Sequence, residues 1–172
     1  SASLMNKGLE MIEAKWLFEL RNEQIEIVVH PQSIIHSMVE YRDGSVLAQL
    51  GAPDMRTPIA YALAYPDRMP TTGNTLDWEK LSTLQFEKPD RQKFRALQLA
   101  YDCLAAGPAH QIALNAANEI AVQKFLDREI AFGDIIPLIE HGLSRVPAAA
   151  SPATLGDIVA LDAEIRRQLH PS

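Results

Sequence analysis

Ile34-Ile35-His36-Ser37-Met38-Val39-Glu40-Tyr41-Arg42-Asp43-Gly44-Ser45-Val46-Leu47-Ala48-Gln49-Leu50 is the stretch that decides the fold class of this chain. Two runs rich in apolar and β-branched residues, 34–41 and 45–50, flank Asp43-Gly44. An Asp-Gly step between such runs is the strongest local hairpin signal, because a tight turn demands backbone conformations that these two residues tolerate. Strand alternation would put Ile34, His36 and Met38 on one face and Ile35, Ser37 and Val39 on the other. Upstream, Ile25-Glu26-Ile27-Val28-Val29 reads as a further strand, stopped by His30-Pro31 because proline cannot donate to a ladder. Downstream, 51–55 is a loop. Thr57-Pro58 reads as an N-cap and first helical position of a short helix, 59–64, that must end before Pro66.

Outside this small sheet the apolar period is helical. In residues 4–20, Leu9, Ile12, Trp16 and Leu20 recur at three- and four-residue steps. Segments 90–106, 110–127, 134–145 and 154–170 are four further helices, separated by Gly107-Pro108, Gly133 and the Pro147-to-Pro152 stretch, and short loops predict an antiparallel bundle. Asp134 is the expected N-cap of the third of these. Thr154 with Asp157 resembles a capping box with Asp in place of Glu, and Pro137 falls in a first turn where its missing N–H does no harm. Residues 66–90, rich in Pro, Thr, Asp and Gly, read as an extended connector that Trp78, Leu81, Leu84 and Phe86 could anchor. The class is α+β: a small sheet with its helices over 1–65, a connector over 66–90, and an all-α bundle over 91–172.

Composition narrows the function. The 172 residues are 47% apolar and 22% charged, enough to bury a core, so disorder is disfavoured. Sixteen Lys and Arg against 22 Asp and Glu leave a net charge of −6 with no basic run, which disfavours nucleic-acid binding. Cys103, the one cysteine, excludes an internal disulfide and a Cys-based zinc site, and its apolar neighbours mark it as a packing residue. No apolar run reaches the roughly 18 residues of a membrane span. The first residues lack signal-peptide character, so the expected compartment is the reducing cytosol. The absence of a starting Met suggests a fragment.

Chemistry-bearing residues concentrate on the first helix. Asn6 and Glu10 are four apart and Lys7 and Glu10 three apart, so an amide, an ammonium and a carboxylate share one face. Lys7 offers a compact charge with three donors for a phosphate, Asn6 can bond phosphate or hydroxyls, and Glu10 can ligate a hard divalent cation. Ser1 could add a hydroxyl near the helix N-terminus. On spacing alone, an ordinary solvated Lys–Glu pair is the commoner reading. Gly8 costs about 1 kcal/mol against Ala within a helix and so needs a reason, such as close approach by a ligand or another backbone. His30 and His36 lack the further ligands of a zinc site, and His36 on an apolar strand face reads by default as a core histidine with hydrogen-bonded nitrogens. Gln32 and Ser33 are turn formers that could also shape a pocket. Asn115, Asn118 and Glu119 read as polar residues that fix helix register in the bundle. Glu140, His141, Arg166 and Arg167 read as solvated surface.

Four motifs in one order, 1–10, 30–39, 44–51 and 53–60, together with Leu114-Asn115-Ala116-Ala117-Asn118-Glu119, closely resemble the 1-deoxy-D-xylulose 5-phosphate reductoisomerase family, specifically its C-terminal portion. The resemblance implies that 1–65 is the C-terminal part of an α/β catalytic domain, followed by the connector and the helical bundle. It also implies an NADPH-dependent enzyme that rearranges 1-deoxy-D-xylulose 5-phosphate and reduces it to 2-C-methyl-D-erythritol 4-phosphate in non-mevalonate isoprenoid synthesis. That enzyme uses Mg²⁺ or Mn²⁺ and is inhibited by fosmidomycin. By the same resemblance Glu10 matches a metal ligand, and Ser1, Asn6, Lys7 and Glu10 match substrate-binding residues. Lys7 and His36 match active-site residues, and Met55 a residue bordering the nicotinamide.

The resemblance further implies a homodimer, to which the hairpin could lend a sheet edge. No Gly-rich dinucleotide fingerprint occurs here, and the family's other metal carboxylates and closing loop are missing. One carboxylate cannot satisfy Mg²⁺, so the chain alone is expected to be inactive without an N-terminal portion. Its exposed edge and apolar face predict association. The competing expectation is a non-catalytic helical interaction module derived from such an enzyme.

Overall fold

The computed structural model describes residues 3–79 and 81–169. In chain order the elements are α1 (Met5–Leu17), β1 (Ile35–Glu40), β2 (Val46–Leu50), α2 (Arg56–Ala64), α3 (Arg95–Ala106), α4 (Pro108–Leu126), α5 (Ile135–Leu143) and α6 (Leu155–Leu169). Short 3₁₀ turns occupy Asn22–Gln24 and Phe132–Asp134. The α+β class holds, with helix predominating. Contacts divide the chain into two compact units: residues up to Ile27 together with those from Pro89 onward, and Val28–Lys88.

The helical unit owns the core. Alternation of small and large apolar residues explains how it closes. On α4, Ala109, Ala113, Leu114, Ala116, Ala117, Ile120 and Ala121 are buried, and the alanines let α3, α5 and α6 approach closely. Met11, Leu97, Leu114, Ile139 and Ile165 are the large side chains fully enclosed. Gly142 on α5 is required by this approach, since a Cβ there would stand 2.7 Å from the Cβ of Ala117. α1 packs against α3 and so belongs with these helices. The capping box at α6 forms as expected: Thr154 N–H donates to Asp157 Oδ2 at 2.9 Å and Asp157 N–H to Thr154 Oγ1 at 3.2 Å.

The Val28–Lys88 unit is built without burial; none of its described residues is buried. β1 and β2 pair antiparallel around Gly44, whose φ of 82° suits the turn. Tyr41 N–H donates to Ser45 O at 2.8 Å, and Asp43 Oδ1 accepts from Ser45 N–H at 2.9 Å. Between the pairs Ile35–Leu50 and Ser37–Gln49, β1 advances two residues against one, so His36 is the extra residue of a bulge. The bulge breaks the alternation expected of Ile34, His36 and Met38.

Two local expectations are corrected. Residues 25–29 form no strand. Val29 alone pairs, through reciprocal 2.9 Å bonds with Glu87, because a strand needs a neighbouring ladder and the described residues supply none. α2 starts at Arg56 with Met55 as its N-cap, ahead of the expected Thr57 cap, because Asp54 Oδ1 takes the Arg56 N–H at 3.0 Å. Asp134 is the N-cap of α5 as expected, although its side chain accepts from Ala131 N–H at 2.9 Å, across the 3₁₀ turn, and makes no cap bond to the helix. In the connector, Phe86 stacks on His30 with centroids 4.9 Å apart, whereas Trp78 is exposed.

Candidate functional site

α1 has two faces with different partners. Met5, Gly8 and Met11 are buried, with Leu9 and Ile12 packed beside them. At 3.6 residues per turn, Asn6, Lys7 and Glu10 lie about 100–200° around the axis from Gly8, which turns them outward. There they come together. Lys7 Nζ donates to Glu10 Oε2 at 2.5 Å and Asn6 Nδ2 to Glu10 Oε1 at 2.5 Å. The Lys7 and Glu10 side chains are 50% and 45% exposed, so the cluster is neither split between faces nor sunk in the bundle. Both carboxylate oxygens are engaged, while Lys7 and Asn6 keep N–H groups free for an incoming anion. Charge-assisted bonds from an ammonium to phosphate are among the stronger polar contacts.

Gly8 has a different explanation from the one expected. A Cβ at this position would stand 2.6 Å from the Cβ of Ala100 on α3. The neighbour that demands glycine is thus a side chain of the adjacent helix.

Ser1 lies outside the described residues. Met5 N–H donates to Ser3 Oγ at 3.3 Å, a contact at the start of α1 that sequence reading passed over. His36 and Met55 belong to the Val28–Lys88 unit. His36 is exposed, not a core residue, and its Nε2 lies 3.1 Å from Gly51 O. The exposure is shared by the rest of β1 from Ser37 to Glu40, because nothing among the described residues covers this strand.

Met55 is fixed by neighbours that sequence reading did not single out. Arg56 grips Asp54 through its guanidinium, NH2 to Oδ2 at 2.6 Å and Nε to Oδ1 at 2.9 Å, and reaches Thr72 Oγ1 at 3.2 Å. The Arg56 guanidinium, then the backbone N–H groups of Arg56 and Asn74, hold the Asp54 carboxyl well below the usual carboxylate range. The Asp-x-Arg spacing was the available signal. Gln85 O lies 2.8 Å from His30 Nδ1, and Gln32 Nε2 donates to Gln85 Oε1 at 3.0 Å, so both residues hold the connector.

In the helical unit Asn115 Nδ2 donates to Glu119 Oε1 at 3.1 Å, and Arg166 NH2 to Glu119 Oε2 at 2.7 Å. Arg166 Nε also donates to Asp162 Oδ2 at 2.6 Å. The Asn115–Glu119 pair therefore ties α4 to α6, although it is exposed rather than buried. Arg166 is a crosslink and not free surface, as is Glu140, which accepts from Arg95 Nε at 2.9 Å. Arg167 pairs with Glu164. Burial pushes the Cys103 thiol up to about 12, which fits an inert packing residue. Among the described residues no three His, Cys, Asp or Glu come together to hold a metal ion, and no helix is long and apolar enough to cross a membrane. Glu10 by itself does not make a cation site.

A family profile described as DXP reductoisomerase C-terminal domain matches residues 50–168. The chain belongs to the DXP reductoisomerase family. It is 54% identical over 169 residues to the 1-deoxy-D-xylulose 5-phosphate reductoisomerase of Laribacter hongkongensis, covering 98% of this chain and 43% of that protein. To the enzyme of Chlorobaculum tepidum it is 55% identical over 172 residues, covering 98% of this chain and 45% of the relative. Among solved structures, the Zymomonas mobilis reductoisomerase in complex with NADPH superposes with a TM-score of 0.87 at 53% identity, covering 98% of this chain and 44% of that one. A DOX-P reductoisomerase in complex with NADPH, fosmidomycin and magnesium superposes at 0.83 with 44% identity, covering 98% of this chain and 43% of that one. The chain thus spans less than half the length of these relatives.

Proposed function

We propose that the protein to which this chain contributes isomerises 1-deoxy-D-xylulose 5-phosphate and reduces the product with NADPH to 2-C-methyl-D-erythritol 4-phosphate, in non-mevalonate isoprenoid synthesis in the cytoplasm. The observation that carries this reading is the Asn6–Lys7–Glu10 cluster, preassembled on the outward face of α1 in a chain so similar to reductoisomerases bound to NADPH and magnesium. Lys7 and Asn6 donate to the substrate phosphate and hydroxyls, with Ser1 adding a hydroxyl. Mounting these donors one helical turn from Glu10 orients the sugar phosphate along a rigid element. Lewis-acid polarisation of the substrate carbonyl is the chemistry that Mg²⁺ or Mn²⁺ supplies when bound. Glu10 contributes one carboxylate towards that ion, and the remaining ligands come from the portion that relatives carry in addition. His36 acts beside the phosphate, and Met55 borders the nicotinamide.

In this reading 1–65 completes a catalytic domain, 66–90 connects, and 91–172 forms the C-terminal domain. The hairpin exposes Met38, Val39, Val46 and Leu47, which suits a sheet edge joining two copies in a homodimer. The 172-residue chain alone should not turn over substrate. The test is NADPH oxidation by the full-length protein with 1-deoxy-D-xylulose 5-phosphate and Mg²⁺. Substrate-dependent oxidation supports the reading, as does a higher Mg²⁺ requirement after Glu10→Gln. A folded full-length protein without turnover would leave the helical interaction module as the better account.

A further inference from the structure

The buried seam behind the polar face of α1 is set by two residues. Gly8 is buried on α1, and Ala100 and Ala96 of α3 are 0% and 1% exposed. A Cβ on Gly8 would meet the Cβ of Ala100 at 2.6 Å, with the carbonyl oxygen of Ala96 at 3.8 Å. Carbon atoms in contact settle at about 3.5–4.0 Å, so a methyl group added at position 8 has to push the two helices about 1 Å apart. The far end of that push is Asn6, Lys7 and Glu10, which lie around the opposite side of the same helix. A helix moves as a rigid rod, so the displacement reaches all three together.

We propose that Ala100 is a positioning residue for the substrate-holding face: acting through Gly8, it sets how far α1 stands from α3 and therefore where Lys7 and Glu10 meet the substrate. The proposal rests on the function assigned above to Lys7 and Glu10. It explains why a residue unfavourable in helices sits between them in sequence. The helical domain then does more than brace the enzyme, because the seam with α3 holds the substrate grip in place.

The experiment uses the full-length protein with Gly8→Ala, Ala100→Gly and the two together. Gly8→Ala should lower kcat/KM for the sugar phosphate about 10- to 100-fold, the cost of a misplacement near 1 Å, while the KM for NADPH holds. Ala100→Gly in the same chain removes the opposing methyl and should recover most of that loss. Wild-type kinetics in Gly8→Ala, or a double variant no better than the single, would overturn the proposal. A rise in the KM for NADPH that matches the sugar-phosphate loss would do the same, since it would mark general damage to the fold.

A second readout needs no turnover. The ¹³C resonance of the Glu10 carboxylate, remote from the added methyl, should shift in Gly8→Ala and return in the double variant. If the wild-type protein proves inactive, the functional reading fails while this resonance still decides the positioning claim. If Gly8→Ala does not fold, Ala100→Ser enlarges the seam by one atom from the other side. It should shift the same resonance, and no shift there counts against the proposal.

Discussion

Leu114 in α4 and Leu47 in β2 are the same residue type at interior positions of regular elements, yet the first is fully buried and the second is 65% exposed. The contrast runs through the two units that contain them. In the helical unit, small residues such as Ala100 and Ala117 bring helices together, and side-chain burial sets the geometry. In the Val28–Lys88 unit, geometry comes from hydrogen bonds and a ring stack: the Asp43 turn, the Asp54–Arg56 grip, and His30 held between Gln85 and Phe86. The candidate site residues inherit this difference. Asn6, Lys7 and Glu10 stand on a helix seated in a core, whereas His36 and Met55 are held by a bulge and a turn. Apolar side chains exposed together along the hairpin are more than the scattered exposure of an ordinary surface. They suit a region completed by more protein, which accords with relatives more than twice as long.

The largest expected effect belongs to the core. Leu114→Ala should cost about 2–5 kcal/mol in urea unfolding, because the site loses its contacts and cannot fully collapse. Thr154→Ala should cost about 1 kcal/mol by removing the cap of α6. That penalty should depend on pH. The backbone N–H and hydroxyl of Thr154 hold the Asp157 carboxyl below its ordinary value of 3.8, so the ionised form is favoured in the folded chain. A carboxyl lowered on folding stabilises above its unfolded value, and the contribution fades as pH falls through the lower folded value. The gap between wild type and Asp157→Asn should therefore be full at neutral pH and shrink below 3.8; a gap independent of pH would remove Asp157 from the cap. Smallest of all, Leu47→Ala should change stability by no more than about 0.5 kcal/mol. A loss at Leu47 rivalling that at Leu114 would break the comparison, since it would mean that the hairpin buries a core of its own.

Much of this was legible in the amino-acid order because the signals are local. Apolar residues three and four apart marked α1 and the bundle helices, Asp43-Gly44 marked the hairpin, and the spacing of Asn6, Lys7 and Glu10 placed them on one face. What escaped depended on partners distant in sequence. Residues 25–29 have strand composition, but composition cannot say whether a second strand will lie alongside. Gly8 announced a close approach without disclosing that Ala100 was the neighbour. Glu119 revealed its link to Asn115 through spacing, whereas its link to Arg166 required the packing of α6 on α4. His36 looked like a core residue because its neighbours are apolar, and apolar composition does not say that a strand face will be left uncovered.

The most direct test is steady-state kinetics of the full-length protein carrying Lys7→Ala. Losing a charged donor to the phosphate should raise the KM for 1-deoxy-D-xylulose 5-phosphate about 10- to 100-fold and leave the KM for NADPH unchanged. An unchanged sugar-phosphate KM, or an equal rise for both substrates, would contradict the assignment of this face of α1 to the substrate.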